Sequence, residues 1–242
     1  MIEEIYSFEN NHYFHAYWEE RENRFKQSLV FPKSTYSPWL QDEAFLKTFD
    51  AIKENSLVDI YRCYELWSIS KRLKKSEAAI IEVGVWRGGT AALLAKANDN
   101  QSPIYLCDTF EGVAKAGDKD NQYKGGEHAD TSVEIVETLM KEQGISSYQI
   151  LKGIFPDTNA DKLDAEKFKI CHIDVDVYES AKDIFNWVWT RMIVGGVVIF
   201  DDYGFAACAG ITQLVNELAN STPNAFFIHN INGHGLLIKT AL

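Results

Sequence analysis

His172-Ile173-Asp174-Val175-Asp176-Val177-Tyr178-Glu179-Ser180 and Val197-Val198-Ile199-Phe200-Asp201-Asp202-Tyr203-Gly204 are the two stretches whose reading decides the fold. Each begins as a short apolar run and ends in acids. Short runs bounded in this way read as strands buried on both faces, as in a parallel sheet. Ligands of open α/β sheets sit outside the carboxyl ends of the strands. Two neighbouring strands that end in aspartates therefore bring several oxygen donors to one spot, which is what a hard divalent cation requires.

The same alternation extends outward from these runs. Strands are predicted near residues 79–83, 104–107, 148–152, 169–174 and 195–201, and helices near 88–98, 131–143, 177–191 and 208–219. Such alternation predicts a doubly wound α/β sheet. The end of the chain differs. Residues 225–229 and 236–239 flank Asn232-Gly233-His234-Gly235, which reads as an antiparallel hairpin closing the sheet. A mostly parallel sheet with that ending is the Rossmann-like architecture of class I methyltransferases rather than of dehydrogenases.

Before the first strand, Leu57, Ile60, Tyr61, Tyr64 and Trp67 keep helical spacing and predict a long helix. Ser37-Pro38 with Asp42 and Glu43 predicts a helix start. Residues 1–38 differ in character. Their aromatic and charged run Asn11–Glu20 predicts a helical extension or lid, interrupted by Pro32 and Pro38, ahead of a main domain spanning 39–242.

Bulk properties narrow the function. With 242 residues, 46% of them hydrophobic, the chain suits one large domain with an ample core. A net charge of -11 argues against a general nucleic-acid binder. Cys63, Cys107, Cys171 and Cys208 are widely spaced, and buried free thiols are expected. Neither a signal peptide nor a membrane span is seen, so a cytoplasmic location is expected, with no membrane partner. Assembly as a homo-oligomer is also expected.

A cofactor signal lies in Glu82-Val83-Gly84-Val85-Trp86-Arg87-Gly88-Gly89-Thr90, between the first strand and its helix. Glycines there permit a tight turn and close approach of backbone to a ligand. The spacing is not that of the dinucleotide fingerprint. A carboxylate at Glu82 suits an ammonium-bearing ligand such as S-adenosylmethionine better than a pyrophosphate. Asp108, ending the next strand, stands where a carboxylate commonly takes ribose hydroxyls.

Asp174, Asp201 and Asp202 form the best metal set, and a magnesium-like ion suits them. Asp176 reads first as a cap or dipole partner of the following helix. His128 lies in the long irregular segment Gly112–Asp130 and is a candidate proton acceptor. His172 reads as a core or supporting residue, while His12, His15, His229 and His234 show no partner at ligand spacing.

These motifs, taken in order with Asp108-Thr109-Phe110-Glu111-Gly112 and Gly125-Gly126-Glu127-His128-Ala129-Asp130-Thr131-Ser132, make residues 35–240 resemble the macrocin O-methyltransferase family. The family comprises S-adenosylmethionine-dependent enzymes that methylate sugar hydroxyls of natural products. The resemblance implies His128 as general base and magnesium on Asp174, Asp201 and Asp202. It implies cofactor contacts from Glu82, Gly84, Gly88, Asp108 and Thr109, with Leu57 and Val58 nearby. A small-molecule sugar or glycoside is then the expected acceptor. Alternatives are a catechol or phenol acceptor, a nicotinamide-dependent oxidoreductase, and a cofactor-binding protein without catalysis.

Overall fold

The computed structural model describes residues 34–242 and, before them, Phe25 alone. The rest of the expected N-terminal extension, including the helix over Asn11–Glu20 with His12 and His15, lies outside the described residues. A single 3₁₀ turn, Pro38–Gln41, precedes α1 (Glu43–Ile52), whose first turn is capped by the Asp42 side chain accepting from the Phe45 amide. α2 (Ile60–Leu73) is the long helix expected before the first strand, and its cap is Asp59.

From there the order is β1 (Ala79–Val83), α3 (Gly89–Ala97), β2 (Ile104–Asp108), α4 (Val133–Glu142), β3 (Tyr148–Lys152), β4 (Phe168–Ile173), α5 (Tyr178–Trp189), β5 (Met192–Phe200), α6 (Ala209–Ser221), β6 (Ala225–Asn230) and β7 (His234–Lys239). The seven strands form one sheet in the order β3-β2-β1-β4-β5-β7-β6. β1 to β5 pair in parallel, and β7 lies antiparallel between β5 and β6. The doubly wound sheet with an antiparallel C-terminal hairpin is thus the observed fold.

Successive strand residues point to opposite faces and so feed two cores. Ile81, Val83, Cys107, Cys171, Ile173, Val198 and Phe200 join α5 and α6 on one side. Ile80, Ile104, Leu106, Ile170, Val197 and Ile199 join α1 to α4 on the other. The cysteines are all buried and free. Among the described residues no helix is long and apolar enough to cross a membrane.

The chain order reverses beside β1, which has β2 on one side and β4 on the other. That switch point opens a crevice at the carboxyl ends of the parallel strands. The crevice is drawn tight on one side by Gly84. Its φ is +90°, and a Cβ there would lie 1.6 Å from the Asp174 carbonyl oxygen. The loops after β1 and β4 can therefore touch only through a glycine.

At the opposite, amino-terminal end of the parallel strands, Lys169 is fully buried in β4. Its ammonium donates to the carbonyls of Leu73 (3.1 Å) and Ser76 (2.9 Å), to Asn98 Oδ1 (2.7 Å) and to Ser102 Oγ (2.8 Å). One cation thus ties the ends of α2 and α3 to the sheet. Burial pulls its pKa down to about 8. The unfolded chain therefore holds this proton to higher pH than the folded one, and Lys169 makes stability rise as pH climbs from about 8 toward the free-lysine value. Lys169→Met should lower stability at neutral pH by at least about 1–3 kcal/mol, because its acceptors lose their donor. It should also flatten the slope above pH 8, as read by urea denaturation across pH.

Candidate active site

The crevice holds a cleft of about 300 Å³. On the side of the β1 and β2 loops it is lined by Leu57, Val58, Gly84, Val85, Trp86, Asp108 and Thr109, and on the far side by Tyr123, His128, Asp174, Asp176, Asp201 and Asp202. Nearly all of the expected site residues therefore meet in one space, though they come from segments far apart in the chain.

Two expected contacts are corrected. Glu82 lies inside β1 rather than at its end. It is fully buried, and its Oε1 stands 2.7 Å from His172 Nδ1. Glu82 is absent from the cleft lining, because it is the penultimate residue of β1 and its side chain points into the face shared with His172. Gly88 is absent from the lining too. It opens α3 in a left-handed conformation, with Val136 behind it.

Asp108 ends β2 and is held by backbone. Its Oδ2 accepts from the amides of Val85 and Trp86 at 2.8 Å each, and its Oδ1 from Phe110 at 2.6 Å. Burial raises its pKa, and the three amides oppose that. The carboxylate therefore fixes the glycine loop while facing the cleft.

Across the cleft, the carboxylates of Asp174, Asp201 and Asp202 bring ligand atoms within 4.8 Å of one another. Asp202 has φ +59° and Asp176 φ +64°, a left-handed backbone that non-glycine residues seldom adopt and that clusters at functional sites. Burial, then the neighbouring acids, pushes Asp174 and Asp202 well above the usual carboxylate range. Asp201 goes the other way. Burial would raise it, but His234 and Arg62 outweigh burial and hold it ionised.

Arg62 is the residue that sequence reasoning missed. Its Nη1 lies 2.7 Å from Asp201 Oδ2 and 3.2 Å from Asp202 Oδ1, and its Nε lies 2.8 Å from Asp59 Oδ2. Its guanidinium rests 4.7 Å from the Phe205 ring centre. An arginine three residues after a capping aspartate looks like an ordinary surface pair, and only the sheet order shows what it faces. A cation of the chain already stands against two of the three carboxylates. The site thus collects positive charge, and its all-oxygen donor set fits a hard divalent ion.

His234 was also misread. It is the first residue of β7, fully buried, with Nδ1 at 2.5 Å from Glu65 Oε2 and Nε2 at 2.9 Å from Asp201 Oδ1. Burial lowers its pKa, but the two acids outweigh that and raise it to about 9.

Asp176 is not the helix cap that its position suggested. The cap residue of α5 is Val177, and the Tyr178 amide donates instead to Asp120 Oδ1 at 3.0 Å. Asp176 faces the cleft near Asp202 and Cys208. Burial raises its pKa, while hydrogen bonds from Asp202 and Tyr123 lower it.

The segment between β2 and α4 crosses the cleft mouth. It is pinned to α5 by Ser180 Oγ donating to Ala114 O at 2.7 Å, and to the glycine loop by Arg87 Nη2 donating to Asp130 Oδ2 at 2.8 Å. His128 sits at the mouth, exposed, with φ +62° and Nε2 3.5 Å from the Tyr123 hydroxyl.

Comparison with known proteins adds to this geometry. A tetracenomycin-type rhamnosyl 4'-O-methyltransferase of Streptomyces olivaceus is 30% identical over 142 residues, 53% of this chain and 54% of that protein. The demethyldecarbamoylnovobiocin O-methyltransferase of Streptomyces niveus is 29% identical over 139 residues, 51% of this chain and 52% of that protein. The chain thus spans about half the length of the curated relatives it matches. The solved structure of the O-methyltransferase NovP superposes with a TM-score of 0.65 at 22% identity, covering 77% of this chain and 83% of that one, and it supports the class I methyltransferase fold. The macrocin-O-methyltransferase (TylF) family model matches residues 63–233, and with that span covering most of the chain, the protein belongs to the macrocin-O-methyltransferase family.

Proposed function

We propose that this chain is an S-adenosylmethionine-dependent O-methyltransferase acting on a hydroxyl of a sugar or glycosylated natural product. The observation that carries the reading is one cleft with a nucleotide-type carboxylate, Asp108, on one wall and the acids Asp174, Asp201 and Asp202 on the other. Both curated relatives are O-methyltransferases by name, and one name specifies a rhamnosyl group. A homo-oligomer working on a small glycoside in the cytoplasm completes the reading.

In the reaction an acceptor oxygen forms a bond to the methyl carbon as the bond from sulfur to that carbon breaks. The hydroxyl proton goes to a base of the protein. A magnesium ion held by Asp174, Asp201 and Asp202 would supply Lewis-acid stabilisation of the acceptor's alkoxide. Leu57, Val58, Gly84, Asp108 and Thr109 form the cofactor wall, with Asp108 oriented by its three amides to accept ribose hydroxyls. Arg62 keeps Asp201 ionised and in place.

His128 is the proposed base, since it lines the cleft from the covering segment and imidazole accepts a proton near neutral pH. Asp176 is the second candidate, favoured by its half-buried, backbone-strained place beside Asp202.

Each part has its own measurement. Asp108→Ala should weaken cofactor binding by roughly 1.5–3 kcal/mol in calorimetry, the worth of hydrogen bonds to a charged acceptor. An unchanged affinity in the folded variant would assign the ribose to another residue. Chelation should abolish methyl transfer to a glycoside and magnesium should restore it, whereas full turnover of a verified metal-free sample would remove the ion from the reaction. At saturating acceptor, His128→Ala should lower kcat by about 10²–10⁴-fold. A loss under about threefold, with a large loss in Asp176→Asn, would move the base to Asp176.

A further inference from the structure

Beneath the proposed magnesium site, on the α2 side of the sheet, the structure collects three donor atoms that nothing in the proposed reaction uses. They are His172 Nε2 in β4, His234 Nε2 at the start of β7 and Asp201 Oδ1 just after β5, and they lie within 4.8 Å of one another. The three residues are buried, at 0%, 0% and 3% exposure. His172 Nε2 has no hydrogen-bond partner, and His234 Nε2 and Asp201 Oδ1 meet only each other, as an ion pair at 2.9 Å. A buried imidazole nitrogen left without a partner beside that pair is costly unless something fills the space between them.

The surroundings say what would fill it. The other nitrogen of each imidazole faces a carboxylate, His172 Nδ1 with Glu82 at 2.7 Å and His234 Nδ1 with Glu65 at 2.5 Å. A proton held on Nδ1 leaves Nε2 with a free lone pair, and this carboxylate backing is the usual setting of a metal-ligating histidine. Charge agrees. Glu65, Glu82 and Asp201 all face the two imidazoles, and a divalent ion would take the place of the proton shared between His234 and Asp201. Two imidazoles and a carboxylate suit a first-row ion such as zinc and not magnesium.

We propose that His172, His234 and Asp201 form a second, structural cation site that takes zinc(II) or a similar first-row divalent ion. It is separate from the proposed magnesium site, although Asp201 joins them, with Oδ1 toward the histidines and Oδ2 toward Arg62. At ligand distances of about 2.0–2.2 Å the donors must draw together slightly around the ion, which would cross-link β4, β5 and β7.

Chelator-treated full-length protein is titrated with zinc, and the bound ion is examined by X-ray absorption. Two imidazole ligands are expected in the wild type. The Asp174→Asn variant, with the magnesium set broken, should keep one tightly bound zinc. His172→Gln should lose it. Glu82→Gln, which spares the ligands, should weaken zinc binding by about 10–100-fold. Cobalt(II) in place of zinc should give the visible absorption of a nitrogen-ligated site. An all-oxygen shell in the wild type, no tight binding there, or zinc uptake lost in Asp174→Asn but intact in His172→Gln would overturn the site. Magnesium-dependent turnover reports separately on the Asp174, Asp201 and Asp202 set, so either site can fail alone.

Discussion

Negative charge gathered at the carboxyl ends of β4 and β5 is the constraint around which the rest of the molecule is arranged. Asp174, Asp176, Asp201 and Asp202 share one partly buried space, where burial and the neighbouring acids raise the cost of ionising Asp174 and Asp202. The fold answers with Arg62 from α2 and His234 from β7, both directed at Asp201. Asp201 thereby stays ionised while its neighbours Asp174 and Asp202 are pushed upward. Breaking one member of such a buried set leaves an uncompensated charge, so helix and strands are locked together by electrostatics as well as by packing.

Geometry supplies the second condition. The sheet reverses its winding beside β1, so the loops after β1, β2, β4 and β5 face one crevice. Gly84 allows the β1 loop to rest on the Asp174 carbonyl, and Asp108 gathers the amides of Val85, Trp86 and Phe110. The wall built by the β1 and β2 loops and the acidic wall are therefore not independent. A side chain at position 84 would disturb both. The same economy holds at the mouth, where Asp130 and Ser180 anchor the segment that carries Tyr123 and His128 over the acids.

The α2 helix has a larger part than a supporting layer requires. Its cap Asp59 orients Arg62, and Glu65, one turn further on, backs His234. Residues at i and i+3 lie on one helix face, so a single face delivers both groups to the end of the sheet. The acids of the site are consequently tied to a helix that precedes the first strand.

The sequence by itself determined the strand and helix alternation and the antiparallel ending. Apolar runs ending in Asp174 and Asp201, and the glycine loop after Val83, are local patterns whose period and punctuation state the backbone they will adopt. Family membership was legible in the same motifs. Only the tertiary structure decided which acids face the cleft and what neutralises them. Glu82 and Asp108 both sit near strand ends, yet one turns toward His172 and the other toward the cleft. A shift of one residue along a strand reverses the face, and sequence sets strand ends no more finely than that. The partnerships of Arg62 with Asp201 and of His234 with Glu65 span 139 and 169 residues. Charges so far apart in the chain meet only because the sheet order brings them together, and no local pattern records that order.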